Sequence, residues 1–147
     1  MNRKANPPRV LVVDDDPDTI TILSRYLQRE GFVAIEAPSG ADCLRILQES
    51  PVDVILLDLM MPEMDGFQVC EALKRNPETA EIPIILVTAR DDIDARAEGI
   101  RIGVSEFLPK PFSRRQLIAR INAQLSVLEA GRAAEAALNR FAAGGEE

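Results

Sequence analysis

The chain has 147 residues, 46% of them apolar and 28% charged, which is the profile of one globular domain with a real core and a short extension. Its longest apolar runs, Val10-Leu11-Val12-Val13 and Val54-Ile55-Leu56-Leu57, are far too short to span a bilayer, and the polar start through Arg3 and Lys4 has no apolar stretch behind it, so no membrane span or secretory leader is read and a cytoplasmic location is expected. A formal charge of -7 argues against direct binding to DNA or RNA, and the lack of any histidine excludes a catalytic triad, a histidine-ligated metal and a histidine proton shuttle.

Residues 9–13 are rich in β-branched side chains and run into three aspartates, as a buried strand would. Asp16-Pro17 then supplies an N-cap and a proline at the first helical position. The helix that follows places Ile20, Leu23 and Leu27 on one face, and Gly31 stops it. Residues 32–37 read as a second strand. Ser39 caps a second helix carrying Leu44 and Leu47. Residues 52–57, apolar almost throughout, make a third strand. A loop over residues 58–65 leads into a third helix with Val69, Cys70 and Leu73. Residues 83–87 form a fourth strand. Asp91 is read as the cap of a fourth helix that runs through Ile93, Ala97 and Ile100 to Gly103. Residues 106–108 are a short fifth strand, and Ser113 caps a last helix with Leu117, Ile118, Ile121 and Leu125. Cys43 and Cys70 fall inside helical stretches and are read as buried thiols.

Five strands alternate with five helices. Continuously apolar strands fit a parallel sheet covered on both faces, and the repeated strand–helix order gives an α/β class, open and doubly wound. The pattern leaves strand order open; the flavodoxin-like order 2-1-3-4-5 suits a (βα)5 chain of this size. The domain is expected over residues 8–126, after a disordered arm over 1–7. Over residues 127–147 the last helix is expected to extend through Leu128, Ala133, Ala137, Leu138 and Phe141. An interruption is expected at Gly131, and a flexible tail over 144–147.

In such sheets ligands bind at the carboxyl ends of the strands. The residues there are Asp14, Asp15 and Asp16 after the first strand, Asp58 after the third, Thr88 and Ala89 after the fourth, and Lys110 after the fifth. Carboxylates crowded on one rim repel one another, and either raised pKa values or a bound cation relieves the repulsion. Oxygen ligands without histidine or cysteine favour a hard cation, Mg²⁺ or Mn²⁺. Asp58, alone among Leu57, Leu59 and Met60, suits a carboxylate nucleophile that forms an acyl phosphate. Asp14 and Asp15 would hold the metal, while the Thr88 hydroxyl and the Lys110 ammonium would each meet a phosphoryl oxygen.

The segments Val12-Val13-Asp14-Asp15-Asp16-Pro17, Leu57-Asp58-Leu59-Met60-Met61-Pro62-Glu63-Met64-Asp65-Gly66, Val87-Thr88-Ala89 and Lys110-Pro111-Phe112 resemble the signatures of response-regulator receiver domains, in order and spacing, over about residues 8–126. The resemblance implies that Asp58 is the phospho-acceptor, taking a phosphoryl group from a histidine kinase or a histidine phosphotransfer protein. It implies Asp15 as the direct metal ligand, Asp14 as its assistant and the Met60 carbonyl as a third protein contribution. It further implies Thr88 as the switch hydroxyl, Phe107 as the aromatic switch position and a cis Lys110-Pro111 bond. Phe107 cannot donate a hydrogen bond, so its switch works through packing. In similar proteins the positions of Met60 and Arg90 influence acyl-phosphate lifetime, and with an apolar Met60 slow self-hydrolysis is expected.

The chain is thus read as a phosphorylation-switched protein rather than an enzyme that turns over substrate. The rival reading is a haloacid-dehalogenase-like phosphatase. It needs its nucleophile after the first strand, in a pattern that Asp14-Asp15-Asp16-Pro17-Asp18 matches only in part. The output is expected at a phosphorylation-sensitive face of the fourth helix, fifth strand and fifth helix, or in a homodimer through that face or the C-terminal helix. The alternative is a receiver piece of a longer protein whose DNA-binding or enzymatic effector lies outside this sequence.

Overall fold

The computed structural model describes residues 6–89 and 92–144, side chains 142–144 excepted. Its strands are β1 (Arg9–Val13), β2 (Val33–Ala37), β3 (Val54–Leu57), β4 (Ile84–Thr88) and β5 (Glu106–Pro109). They alternate with helices α1 (Pro17–Arg29), α2 (Gly40–Glu49), α3 (Gly66–Arg75), α4 (Ile93–Ile102) and α5 (Arg114–Gly144). All four strand pairings are parallel, and the order is β2-β1-β3-β4-β5, as expected.

The two-residue period of a strand sends alternate side chains to opposite faces, and two cores result. Val10, Val12, Val54, Leu56, Ile85, Val87 and Leu108 pack with Leu23 and Leu27 of α1 and with Leu117 and Ile121 of α5. Leu11, Val13, Ile55, Leu57, Ile84, Leu86 and Phe107 pack with Cys43 of α2, with Val69, Cys70 and Leu73 of α3 and with Ala95 of α4. The register pairs Val13 with Leu57, Leu57 with Leu86 and Thr88 with Pro109, so the residues after these strands gather on one rim.

Helix ends follow the capping chemistry in the sequence. Asp16 accepts the Asp18 N–H, Ser39 that of Asp42, and Ser113 that of Gln116, whose side chain answers the Ser113 N–H. Gly31 and Gly103 follow α1 and α4 in left-handed conformations, φ 87° and 104°. The cap of α4 is Asp92, which accepts the Ala95 N–H at 2.7 Å; the expected cap, Asp91, lies outside the described residues.

Gly131 does not interrupt the last helix. α5 runs unbroken for 31 residues. An isolated glycine costs a helix only about 1 kcal/mol relative to alanine. Ala130, Ala133, Ala134, Ala136 and Ala137, strong helix formers, surround it. Gly144 belongs to this helix, and residues 145–147 of the expected tail lie outside the described residues. So do residues 1–5 of the expected arm; Pro7 and Pro8 are half-buried, and the Pro8 carbonyl accepts the Val33 N–H. Among the described residues, no helix is long and apolar enough to cross a membrane.

Candidate functional site

The rim at the carboxyl end of the sheet is built from the backbone outward. Asp14 leaves β1 buried, its N–H donating to the Ala37 carbonyl of β2 at 3.2 Å. Its carboxylate accepts the Asp16 N–H at 2.9 Å, which turns Asp16 away to cap α1 and to accept from the Thr19 hydroxyl. Asp16 is thereby engaged at the helix start, whereas Asp15 is exposed. Asp58 leaves β3 with its N–H donating to the Val13 carbonyl at 3.0 Å, and its side chain accepts the Met60 N–H at 3.2 Å. Thr88, the last residue of β4, is wholly buried, and its carbonyl accepts the Lys110 N–H at 2.9 Å.

These constraints converge. The Lys110 ammonium lies 3.4 Å from an Asp14 carboxylate oxygen and 3.7 Å from one of Asp58. One carboxylate oxygen each of Asp14, Asp15 and Asp58 lies within 4.8 Å of the others. The Asp58 carboxyl is pushed above the ordinary aspartate range, first by burial and then by the charge of Asp14, with Lys110 and the Met60 N–H opposing. Among the described residues, three carboxylates face the Lys110 ammonium, an excess of negative charge carried on hard oxygen donors. That donor set fits a small divalent cation.

Asp14, Asp15, Asp58 and Lys110 are therefore brought together, with Thr88 on the neighbouring strand end. The Met60 side chain is 60% exposed. Phe107 is buried with its ring against Gly99 of α4, and its carbonyl accepts from Arg120 of α5. The Lys110-Pro111 bond is cis. Arg90 lies outside the described residues.

Gly66 sets how closely α3 approaches the site. It is the buried first residue of α3, inside the capping box of Asp65 and Gln68, and its N–H donates to the Leu59 carbonyl at 2.9 Å. A β-carbon there would stand 2.7 Å from the Asp58 carbonyl oxygen. The trace of this in the sequence is a glycine directly after an N-cap aspartate, at a position where nothing about helix formation favours it.

Comparison with known proteins agrees with this geometry. A family model described as the response regulator receiver domain matches residues 10–122. The DNA-binding dual master transcriptional regulator RpaA of Synechocystis is 36% identical over 118 residues, covering 80% of this chain and 49% of RpaA. The transcriptional regulatory protein GltR of Pseudomonas aeruginosa is 40% identical over 121 residues, covering 82% of this chain and 50% of GltR. The chain thus spans about half the length of the curated relatives it matches. Among solved structures, the Vibrio cholerae chemotaxis protein CheY4 superimposes with a TM-score of 0.76 at 29% identity, over 79% of this chain and 97% of that one. The receiver domain of the Francisella response regulator 1452 does so with a TM-score of 0.76 at 30% identity, over 82% and 98%. A match over residues 10–122, relatives at 36–40% identity and the shared strand order show that the chain belongs to the response-regulator receiver domains of two-component signalling.

Proposed function

We propose that the domain takes a phosphoryl group onto Asp58 from a phosphohistidine of a histidine kinase or a histidine phosphotransfer protein. The observation that carries this is the buried Asp58 carboxylate with the Lys110 ammonium at 3.7 Å and two further carboxylates within reach. An Asp58 oxygen attacks phosphorus, the O–P bond forms as the P–N bond breaks, and the bonding pair leaves with the donor imidazole, which takes up a proton. These 147 residues contain no histidine, so the donor histidine lies outside this domain. Lys110 meets the charge on one phosphoryl oxygen and the Thr88 hydroxyl meets another. Asp14, Asp15, Asp58 and the Met60 carbonyl would hold Mg²⁺ or Mn²⁺, which when bound offsets the negative charge of both carboxylates and phosphoryl group.

The domain acts once per phosphorylation event rather than turning over substrate, in the cytoplasm where such donors work. Phosphorylation switches a protein–protein contact, through the α4–β5–α5 face or through pairing of α5 helices. Relatives of which this chain covers only about half favour an effector beyond the receiver, so the output of the whole protein follows that effector. Incubation with acetyl phosphate and Mg²⁺ tests the site. Stoichiometric labelling of the wild type and none of Asp58→Asn is expected, whereas equal labelling of both overturns the assignment.

A further inference from the structure

Helix α2 supplies no residue to the aspartate cluster, yet the loop that leaves Asp58 rests on it. The space above Gly40, the buried first residue of α2, is filled by two side chains. A β-carbon there would stand 3.0 Å from the sulfur and 3.2 Å from Cγ of Met64, in the site loop. It would also stand 2.7 Å from Cγ2 of Val69 on α3, closer than a β-carbon in a protein comes. Met64 therefore plugs into a notch that exists because α2 begins with a glycine.

The rest of the loop is held in two places. At its neck the Gly66 N–H donates to the Leu59 carbonyl at 2.9 Å, and the Met60 N–H to the Asp58 carboxylate at 3.2 Å. At its tip the Met64 N–H donates to the Pro62 carbonyl at 2.7 Å, across Glu63. Glu63 has a φ of 68°, a left-handed conformation that a residue with a β-carbon rarely adopts. Such a conformation persists only where the surroundings over-determine it. Pro62 and Glu63 are exposed, so packing at the tip does not hold it. The anchor is the next side chain, Met64, half-buried against the core that contains Cys43 of α2 and Val69 of α3.

We propose that Met64, seated on Gly40, is a positioning residue that fixes the Met60 carbonyl for the divalent cation. Mg²⁺ demands near-ideal octahedral geometry at about 2.0–2.1 Å, so a loop carbonyl serves it best when the loop is pinned beyond that carbonyl as well as before it. The Asp58 backbone needs no such help, because the Val13 carbonyl and Gly66 already hold it. The plug thus acts on cation affinity and not on the nucleophile. Neither Met64 nor Gly40 is a metal ligand; both act through Met60. This rests on the reading of the aspartate cluster and the Met60 carbonyl as the cation site.

The test measures Mg²⁺ affinity of the unphosphorylated protein by calorimetric titration, alongside acetyl phosphate labelling at rising Mg²⁺. Met64→Ala is expected to weaken Mg²⁺ binding about tenfold, the effect of losing a group that orients a metal ligand, while labelling at saturating Mg²⁺ stays within about twofold of the wild type. Met64→Leu, close to methionine in volume, should restore the affinity. Gly40→Ala, which fills the notch, should weaken Mg²⁺ as Met64→Ala does. A side chain that served stability alone would lower the urea midpoint and leave Mg²⁺ affinity unchanged, and that result in Met64→Ala overturns the proposal. Labelling that stays slow at saturating Mg²⁺ in Met64→Ala also overturns it, because the plug would then act on Asp58. Met64 is half-buried, so its truncation is not expected to unfold the domain; if Gly40→Ala does not fold, the two Met64 variants decide alone. A wild type that takes up no Mg²⁺ overturns the metal reading, and the plug with it.

Discussion

Gly66 at the start of α3 presses against the backbone of Asp58, leaving 2.7 Å between the Asp58 carbonyl oxygen and the place where a β-carbon of residue 66 would sit. The helix that follows the site loop is thus seated directly on the residue that the loop leaves. Gly66→Ala must push either α3 or the β3 terminus aside. Destabilisation of about 1–3 kcal/mol is expected from urea unfolding. Acetyl phosphate labelling should slow about tenfold, because small displacements of a nucleophile are costly. Wild-type stability and labelling in this variant would show that the contact relaxes without reaching Asp58.

The buried Asp58 gives stability a pH dependence of definite sign. Folded Asp58 keeps its proton to higher pH than the unfolded chain does, so the native state binds more protons in the window just above the ordinary aspartate value of 3.8. Without divalent cation, stability contributed by this residue therefore falls as pH rises through that window and stays lost at neutral pH. Asp58→Asn should flatten that slope and raise neutral-pH stability by on the order of 1 kcal/mol. Mg²⁺ should stabilise the wild type more than the variant. Denaturant midpoints from pH 4 to pH 8, roughly the span in which carboxylates with raised values titrate, check all three.

Cys43 and Cys70 are buried, and burial pushes both thiols up to about 12. A protonated, shielded sulfur is a poor nucleophile. A disulfide reagent such as DTNB at mildly alkaline pH should leave the folded protein unmodified and titrate both thiols in guanidinium chloride. Rapid native-state reaction would mean that α2 and α3 open readily.

Met60 offers a thioether where a polar side chain would hold water near Asp58, and its side chain is 60% exposed. Met60→Asn is expected to speed loss of the acyl phosphate on the order of tenfold, the modest end of what a positioned polar group contributes. Decay of labelled protein after removal of the donor measures it; an unchanged half-life would assign the lifetime to other residues.

Gly131 stands in open helix, with nothing within 4 Å of an added β-carbon. Gly131→Ala should stabilise that stretch by about 0.5–1 kcal/mol. Amide exchange over residues 127–141 should slow several-fold, while the unfolding midpoint of the sheet barely moves. No change in exchange would place the weak point of α5 elsewhere.

Much of this molecule is legible in its sequence because the relevant physics is local. Residues 10–13 of β1 and 54–57 of β3 are apolar at every position, as strands covered on both faces must be, and they lead into Asp14 and Asp58, which have no reason to sit there unless a rim needs charge. Caps such as Asp16, Ser39 and Ser113 announce their helices through side-chain acceptors. What stays hidden depends on neighbours distant in sequence. Gly66 and Gly99 matter for the space they leave to Asp58 and Phe107, and the only trace nearby in the chain is the N-cap aspartate before Gly66. Two adjacent aspartates precede α4, and sequence pattern alone does not choose between them; the cap is Asp92. The expected break at Gly131 gave the glycine too much weight against the alanines around it.

The length of α5 has a mechanical consequence. Leu125 is its last residue in the core, and Phe141 lies 80% exposed farther along the same rod. At about 1.5 Å of rise per residue, that lever arm is roughly 24 Å long. A tilt of about 5° at the fulcrum would sweep its tip by roughly 2 Å, so a displacement at the sheet too small to remodel any surface is magnified by leverage at the far end.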